Sequence, residues 1–179
     1  MKWHLKFILI LCFSFTQFFS IGQAAIDFPD ENWPLVIFAV RHAEKQDQSR
    51  DPNLSEAGNK RAAQLADLLR DANIDQIHSS NYKRTLETAA PIAKHLDIKP
   101  QVYNPKDLPT LVTKLKDAGG RHLVVGHSNS TPNLVKLLGG DPSTKIDDKT
   151  EYDRLYMLTI QKNGEVNSVL LRYGKPFKR

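Results

Sequence analysis

A single three-layer α/β/α domain with a largely parallel central sheet is the fold that the sequence predicts, and three observations predict it. Leu35-Val36-Ile37-Phe38-Ala39-Val40 is a continuous apolar run of strand length, the pattern of a strand buried on both faces of a parallel sheet. Further short apolar runs alternate with amphipathic helical stretches, and repeated β-α units wind into such sheets because their crossovers cover both faces. A length of 179 residues supports one well-packed core and is short for two.

Taken in chain order, the first residues read as an address. Lys2 and Lys6 supply positive charge, residues 7–19 form a mainly apolar run, and Ile21-Gly22-Gln23-Ala24-Ala25 offers a small-residue cleavage site after Ala24. The run is shorter than an ordinary membrane-crossing helix. Residues 1–24 are therefore expected to be a signal peptide, with an uncleaved anchor as the alternative, and residues 25–179 the domain. The protein is expected to be periplasmic or secreted, with no stable membrane span after cleavage. Cys12, the single cysteine, follows Leu11, where a lipid-attachment signal needs a small residue, and one cysteine makes neither an intramolecular disulfide nor a cysteine zinc cluster.

After the first strand, Ser55 is placed to cap a helix with Leu65, Leu68 and Leu69 on its apolar face, running to about Asp71. Residues 74–79 read as a second strand and 82–96 as a second helix, in which Pro91 predicts a kink or break. A short third strand over Gln101-Val102-Tyr103 leads to a helix over 108–118, ended by Gly119-Gly120. Residues 122–125 form a fourth strand, and 132–138 a helix closed by Gly139-Gly140. Residues 155–161 and 166–173 alternate around Asn163-Gly164, a strong hairpin signal.

Composition narrows the function classes. Apolar residues at 40% and charged residues at 25% exclude wholesale disorder and a collagen-like fibre. The net charge of +5 is spread along the chain rather than gathered, so no nucleic-acid partner is expected and an anionic small substrate fits better.

Function in such a sheet gathers at the carboxyl ends of the strands. The first strand ends in Arg41-His42-Ala43-Glu44-Lys45, the second in Ser79-Ser80-Asn81-Tyr82-Lys83-Arg84, and the fourth in Gly126-His127-Ser128-Asn129-Ser130. His78, His95 and His122, on strands or a helix surface, take a structural reading. Two guanidinium groups hold phosphate through planar paired hydrogen bonds. A neutral imidazole can attack phosphorus to form a phosphohistidine, a second imidazole can stabilise the transition state, and a carboxylic acid can protonate the leaving oxygen. A nucleophile elbow at Ser128 is the rival reading, but that fold needs a histidine after the serine and the last histidine is His127. A zinc site on His122 and His127 is weaker, since no helix aligns them.

These motifs resemble those of the histidine phosphatase superfamily, with its phosphoglycerate mutase-like fold. Arg41-His42-Ala43-Glu44 is similar to the family's Arg-His-Gly motif, with Ala43 in place of the glycine. Leu54-Ser55-Glu56-Ala57-Gly58 with Arg61-Ala62 resembles the opening of its first helix, and residues 79–90 the segment carrying a second phosphate-binding arginine. Val124-Val125-Gly126-His127-Ser128 resembles the strand that delivers a second histidine. The resemblance implies a nucleophile at His42, phosphate binding by Arg41 and Arg84, and a transition-state contact from His127, with no cofactor and no metal. The mutase branch carries a glutamate downstream of the second arginine, and no glutamate lies between Glu87 and Glu151; Asp107 is the candidate acid, with Glu44 as the alternative. The implied activity is that of an exported, metal-independent phosphomonoesterase of histidine acid type, acting on a phosphorylated small molecule or surface glycan. A non-catalytic phosphate-binding protein of the same fold is the alternative.

Overall fold

A computed structural model describes residues 34–177. The signal-peptide reading of residues 1–24 lies outside the described residues. Six strands form one sheet: β1 (Leu35–Arg41), β2 (Gln76–Ser80), β3 (Gln101–Tyr103), β4 (Arg121–Gly126), β5 (Arg154–Ile160) and β6 (Val166–Arg172). Four helices connect them: α1 (Glu56–Leu69), α2 (Lys83–Leu96), α3 (Leu108–Ala118) and α4 (Ser130–Leu137). The strand order is β3-β2-β4-β1-β5-β6. The first four in that order are parallel, and β5 and β6 add an antiparallel hairpin at one side. This is the three-layer architecture that the β-α alternation predicts.

Strand β1 is buried at every position because it lies between β4 and β5 under helices on both faces. Its period-2 alternation sends Val36, Phe38 and Val40 into one core with Leu65 and Leu69 of α1 and Ala89, Ile92 and Ala93 of α2. Leu35, Ile37 and Ala39 face the opposite core, with Leu108, Leu111 and Leu115 of α3 and Leu134 and Val135 of α4. Among the described residues, no helix is long and apolar enough to cross a membrane.

Three boundaries differ from the sequence pattern for physical reasons. Pro91 does not end α2, which runs from Lys83 to Leu96. A mid-helix proline costs about 3 kcal/mol, whereas burying the flanking Ile92 alone returns roughly 1.5–3 kcal/mol and four further buried residues of the helix add to it. Helix α4 starts at Ser130 rather than Pro132, because the Asn129 side chain accepts from the Ser130 N–H and starts the helix earlier. Pro132 thus falls in the first turn, where its missing N–H has no intrahelical partner to lose. Strand β2 is shifted towards the carboxyl edge, carrying Ser80 into the sheet.

One close packing fixes the segment after β1. Ser55 caps α1 by accepting from the Gly58 N–H at 3.1 Å, and its own N–H donates to the Glu44 carbonyl at 2.9 Å. A Cβ on Gly58 would lie 2.2 Å from that same carbonyl oxygen, so only glycine lets the helix dock there.

Candidate active site

The site is built where β1, β2 and β4 run out. The His42 N–H donates to the Gly126 carbonyl at 2.9 Å, continuing the β1–β4 ladder by one residue. His42 and His127 therefore leave the sheet side by side, with ring centroids 5.6 Å apart and planes at 66°. Glycine at 126 leaves space for three hydroxyls, since a Cβ would lie 2.9 Å from Ser130 Oγ, Thr131 Oγ1 and Tyr103 Oη and force them to shift. An open cavity of about 500 Å³ lies above the two rings, walled by Arg84, Tyr82, Lys45 and Asp148 among others.

Each ring is held in a definite tautomer. Nδ1 of His42 lies 2.8 Å from the Ala43 carbonyl oxygen. A carbonyl can only accept, so Nδ1 carries the proton and Nε2 keeps its lone pair. His42 is 3% exposed; burial, despite the Ala43 bond and helped by the charges of Arg41, His127 and Arg84, pushes its pKa down to about 3. Nη2 of Arg84 lies 3.5 Å from Nδ1 of His127 and can only donate, which leaves the proton on Nε2, donated to Ser80 Oγ at 2.9 Å. Ser80 Oγ meets Thr85 Oγ1 at 3.0 Å, and that hydroxyl has carbonyl acceptors of its own. Burial, with Arg84 and Arg41, lowers the His127 pKa to about 4.

The two arginines are used differently. Arg84 stacks over the Tyr82 ring at 4.5 Å and pairs loosely with Asp51 at 3.6 Å, and its Nε and Nη1 are buried without a hydrogen-bond partner. Arg41 is 2% exposed and is not part of the cavity wall. Its Nη1 donates to the carbonyls of Asp147 and Glu151, and its Nη2 to the carbonyl and Oδ1 of Asp148. The guanidinium plane lies 4.1 Å from the Tyr152 ring centroid. Arg41, expected as a phosphate ligand, also ties down the loop before β5, because a buried guanidinium must find acceptors and the loop carbonyls supply them. Only its Nε remains without a partner.

Residues 37–105 match the sequence profile of the histidine phosphatase superfamily, branch 1. The chain is 38% identical over 75 residues to a probable phosphatase of Schizosaccharomyces pombe, a match spanning 38% of this chain and 34% of that protein. Its fold is similar to that of the protein histidine phosphatase SixA, solved with tungstate, at a TM-score of 0.64 and 17% identity, covering 77% of this chain and 97% of that one. A mycobacterial glucosyl-3-phosphoglycerate phosphatase superposes with a TM-score of 0.60 at 13% identity, covering 78% and 98% of the two chains. The profile match over residues 37–105 and the shared fold support a place in the histidine phosphatase superfamily.

The cavity gathers His42, His127 and Arg84, and Asp107 is not among its lining residues. Asp107, the expected acid, stands at the start of a helix. It is the N-cap of α3, and its carboxylate accepts from the Thr110 N–H at 3.4 Å and the Thr110 hydroxyl at 2.9 Å. Glu44, the alternative, is gripped by Nε and Nη2 of Arg61 at 2.8–3.0 Å. The superfamily's glycine is replaced by Ala43, whose methyl group sits in a small buried cluster with Leu54 and Ala62, away from the cavity wall. The sequence reading missed Asp148, Tyr152 and the wall residues Tyr82 and Lys106. Tyr82 stands in the quoted strand-end motif, whereas Asp148 lies in an aperiodic loop that carries no local signal.

Proposed function

We propose that the protein is an exported, metal-independent phosphomonoesterase of histidine acid type that passes a phosphoryl group through Nε2 of His42 to water. The observation that carries this reading is the tautomer of His42: the Ala43 carbonyl takes the Nδ1 proton and leaves an unprotonated Nε2 at the cavity floor. The low pKa, about 3, keeps that nitrogen nucleophilic into the acid range. The buried nitrogens of Arg84 and the Nε of Arg41 that lack a hydrogen-bond partner are donors that phosphoryl oxygens would satisfy. Its lowered pKa keeps His127 neutral near pH 7, and a phosphoryl dianion beside it would raise that pKa and favour the cationic form as charge gathers in the transition state. The phosphatases among the similar proteins support the same chemistry. Export rests on the charged, apolar and small-residue pattern of residues 1–24. The substrate is proposed to be a phosphorylated small molecule or surface glycan.

The test is hydrolysis of p-nitrophenyl phosphate by residues 25–179, with His42→Ala beside the wild type. Turnover is expected in the presence of EDTA, and the substitution should remove at least about 99% of it. Acid-labile, alkali-stable phosphate should appear on the wild type during turnover and not on the variant. A fully active His42→Ala protein, or activity that requires an added divalent metal, overturns the reading. An inactive wild type that binds vanadate would instead favour a phosphate-binding protein.

A further inference from the structure

Resting on the phosphomonoesterase reading, we propose that Asp148 is the catalytic proton donor to the leaving group and the base that then activates water. With Asp107 capping a helix and Glu44 held by Arg61, Asp148 supplies the one carboxylate among the described residues that wall the cavity. Its two oxygens are unequally used. Oδ1 accepts from Nη2 of Arg41 at 3.0 Å and from the Ser128 hydroxyl at 2.5 Å, whereas Oδ2 takes part in neither contact. A proton can therefore come and go on Oδ2 without disturbing the anchor on Oδ1. The side chain is 72% exposed, so Oδ2 is open to a bound ester.

The loop beneath it is stiff, which fixes where the carboxylate stands. The Asp147 side chain accepts from the Lys149 and Thr150 N–H groups at 2.8 and 2.9 Å, and Arg41 holds three of the loop's carbonyls. Glu151, at the end of the turn, is locked by Arg154 and Arg172.

Electrons and protons balance in both steps. In the first, the Nε2 lone pair of His42 forms the N–P bond while the P–O bond to the leaving group breaks. Its electron pair stays on the oxygen, which takes the proton from Asp148 Oδ2 and departs as an alcohol. In the second, the Asp148 carboxylate removes a proton from water as the water oxygen bonds to phosphorus. The N–P pair returns to Nε2, inorganic phosphate leaves, and the acid is restored.

Several groups face the carboxylate: Ser128 from the turn before α4, Arg41 and His42 from the end of β1, and Lys45 beyond it. The Ser128 hydroxyl does most to hold the free carboxyl below its usual range; partial burial opposes this, and Arg41, Lys45 and His42 add to the lowering. A phosphoryl dianion on the same cations would offset their pull and raise the carboxyl towards its usual range.

The experiment compares p-nitrophenyl phosphate, whose leaving group needs little protonation, with ethyl phosphate, whose leaving group needs it fully. Asp148→Asn keeps an oxygen for Ser128 and Arg41, so the loop anchor survives. The ratio of kcat/KM on the nitrophenyl ester to that on the ethyl ester should rise about a hundredfold. Asp107→Asn should leave that ratio unchanged. Equal losses on both esters, no loss, a gain in phosphate affinity with the ratio fixed, or a ratio that moves with Asp107→Asn instead would each overturn the proposal. A second variant is independent of the first: Ser128→Ala should move the alkaline limb of ethyl phosphate turnover to higher pH, and a limb that stays in place overturns the assignment. Failure of the broader reading looks different, since a wild type that hydrolyses neither ester defeats the phosphatase itself.

Discussion

At Arg84, geometry rather than charge is what the site uses. The guanidinium lies against the Tyr82 ring, reaches Nδ1 of His127 with one nitrogen and holds two more without a hydrogen-bond partner. An ammonium has neither the planar fork nor the stacking face. Arg84→Lys is therefore expected to weaken vanadate binding nearly as much as Arg84→Ala, by tenfold or more on a scale of about 1.5–3 kcal/mol for a hydrogen bond to a charged group. Titration of vanadate against turnover measures it, and near-normal affinity of the lysine variant would reduce Arg84 to a distant charge. The meeting of His42, Arg84 and His127 at one cavity was legible in sequence, because each follows on a strand or stands in the first turn of the helix after one. The loop contacts of Arg41 were not, since its acceptors are carbonyls of residues 147–151, more than a hundred positions away. Backbone carbonyls carry no side-chain signature.

Elements were most legible where local chemistry punctuates both ends. Helix α3 begins and ends where the sequence pattern puts it, because Asp107 caps one end and Gly119, at φ 57°, closes the other. The same fact carries a prediction: Asp107→Ala should lower stability by about 1 kcal/mol, the usual value of a lost cap, while vanadate affinity stays as it was. Urea unfolding reads the first effect and inhibition the second, and a selective loss of affinity would return Asp107 to the site. Elements were least legible where packing overrides propensity, as at Pro91, or where a side chain starts a helix early, as at Asn129. The hairpin was plain from Asn163-Gly164, and Gly164 does adopt a positive φ of 87°.

For the molecule as a whole, buried neutral histidines set the response to acid. Nε2 of His78 lies 3.0 Å from Nδ1 of His122, whose Nε2 is 2.6 Å from the Gly119 carbonyl oxygen, an arrangement suited to two neutral rings. Burial, then the neighbouring His122 and Lys114, lowers the His78 pKa to about 4; burial likewise lowers His122, and His42 and His127 behave alike. Each group binds its proton more weakly folded than unfolded. Their contribution is complete above pH 6.5, the unfolded value, and falls as pH drops through about 4 for His78 and His127 and about 3 for His42. The melting temperature should thus decline between pH 7.5 and 4.5 by about 5 °C or more, given roughly 2–4 °C per kcal/mol for a chain of this size. A flat profile over that range would show that the rings are not held neutral.

The place of β1 has a consequence in time. It is the first strand made, yet both its neighbours, β4 and β5, are made after the intervening helices, so its central slot in the sheet closes late. Pairings between such distant segments are slow because the chain between them must be ordered first. Until β4 docks, His42 has no His127 beside it, and until the loop before β5 arrives, Arg41 has nothing to hold. A growing or unfolded chain therefore carries all the candidate side chains and none of the cavity, and the proposed phosphate chemistry can begin only once the last strands are in register.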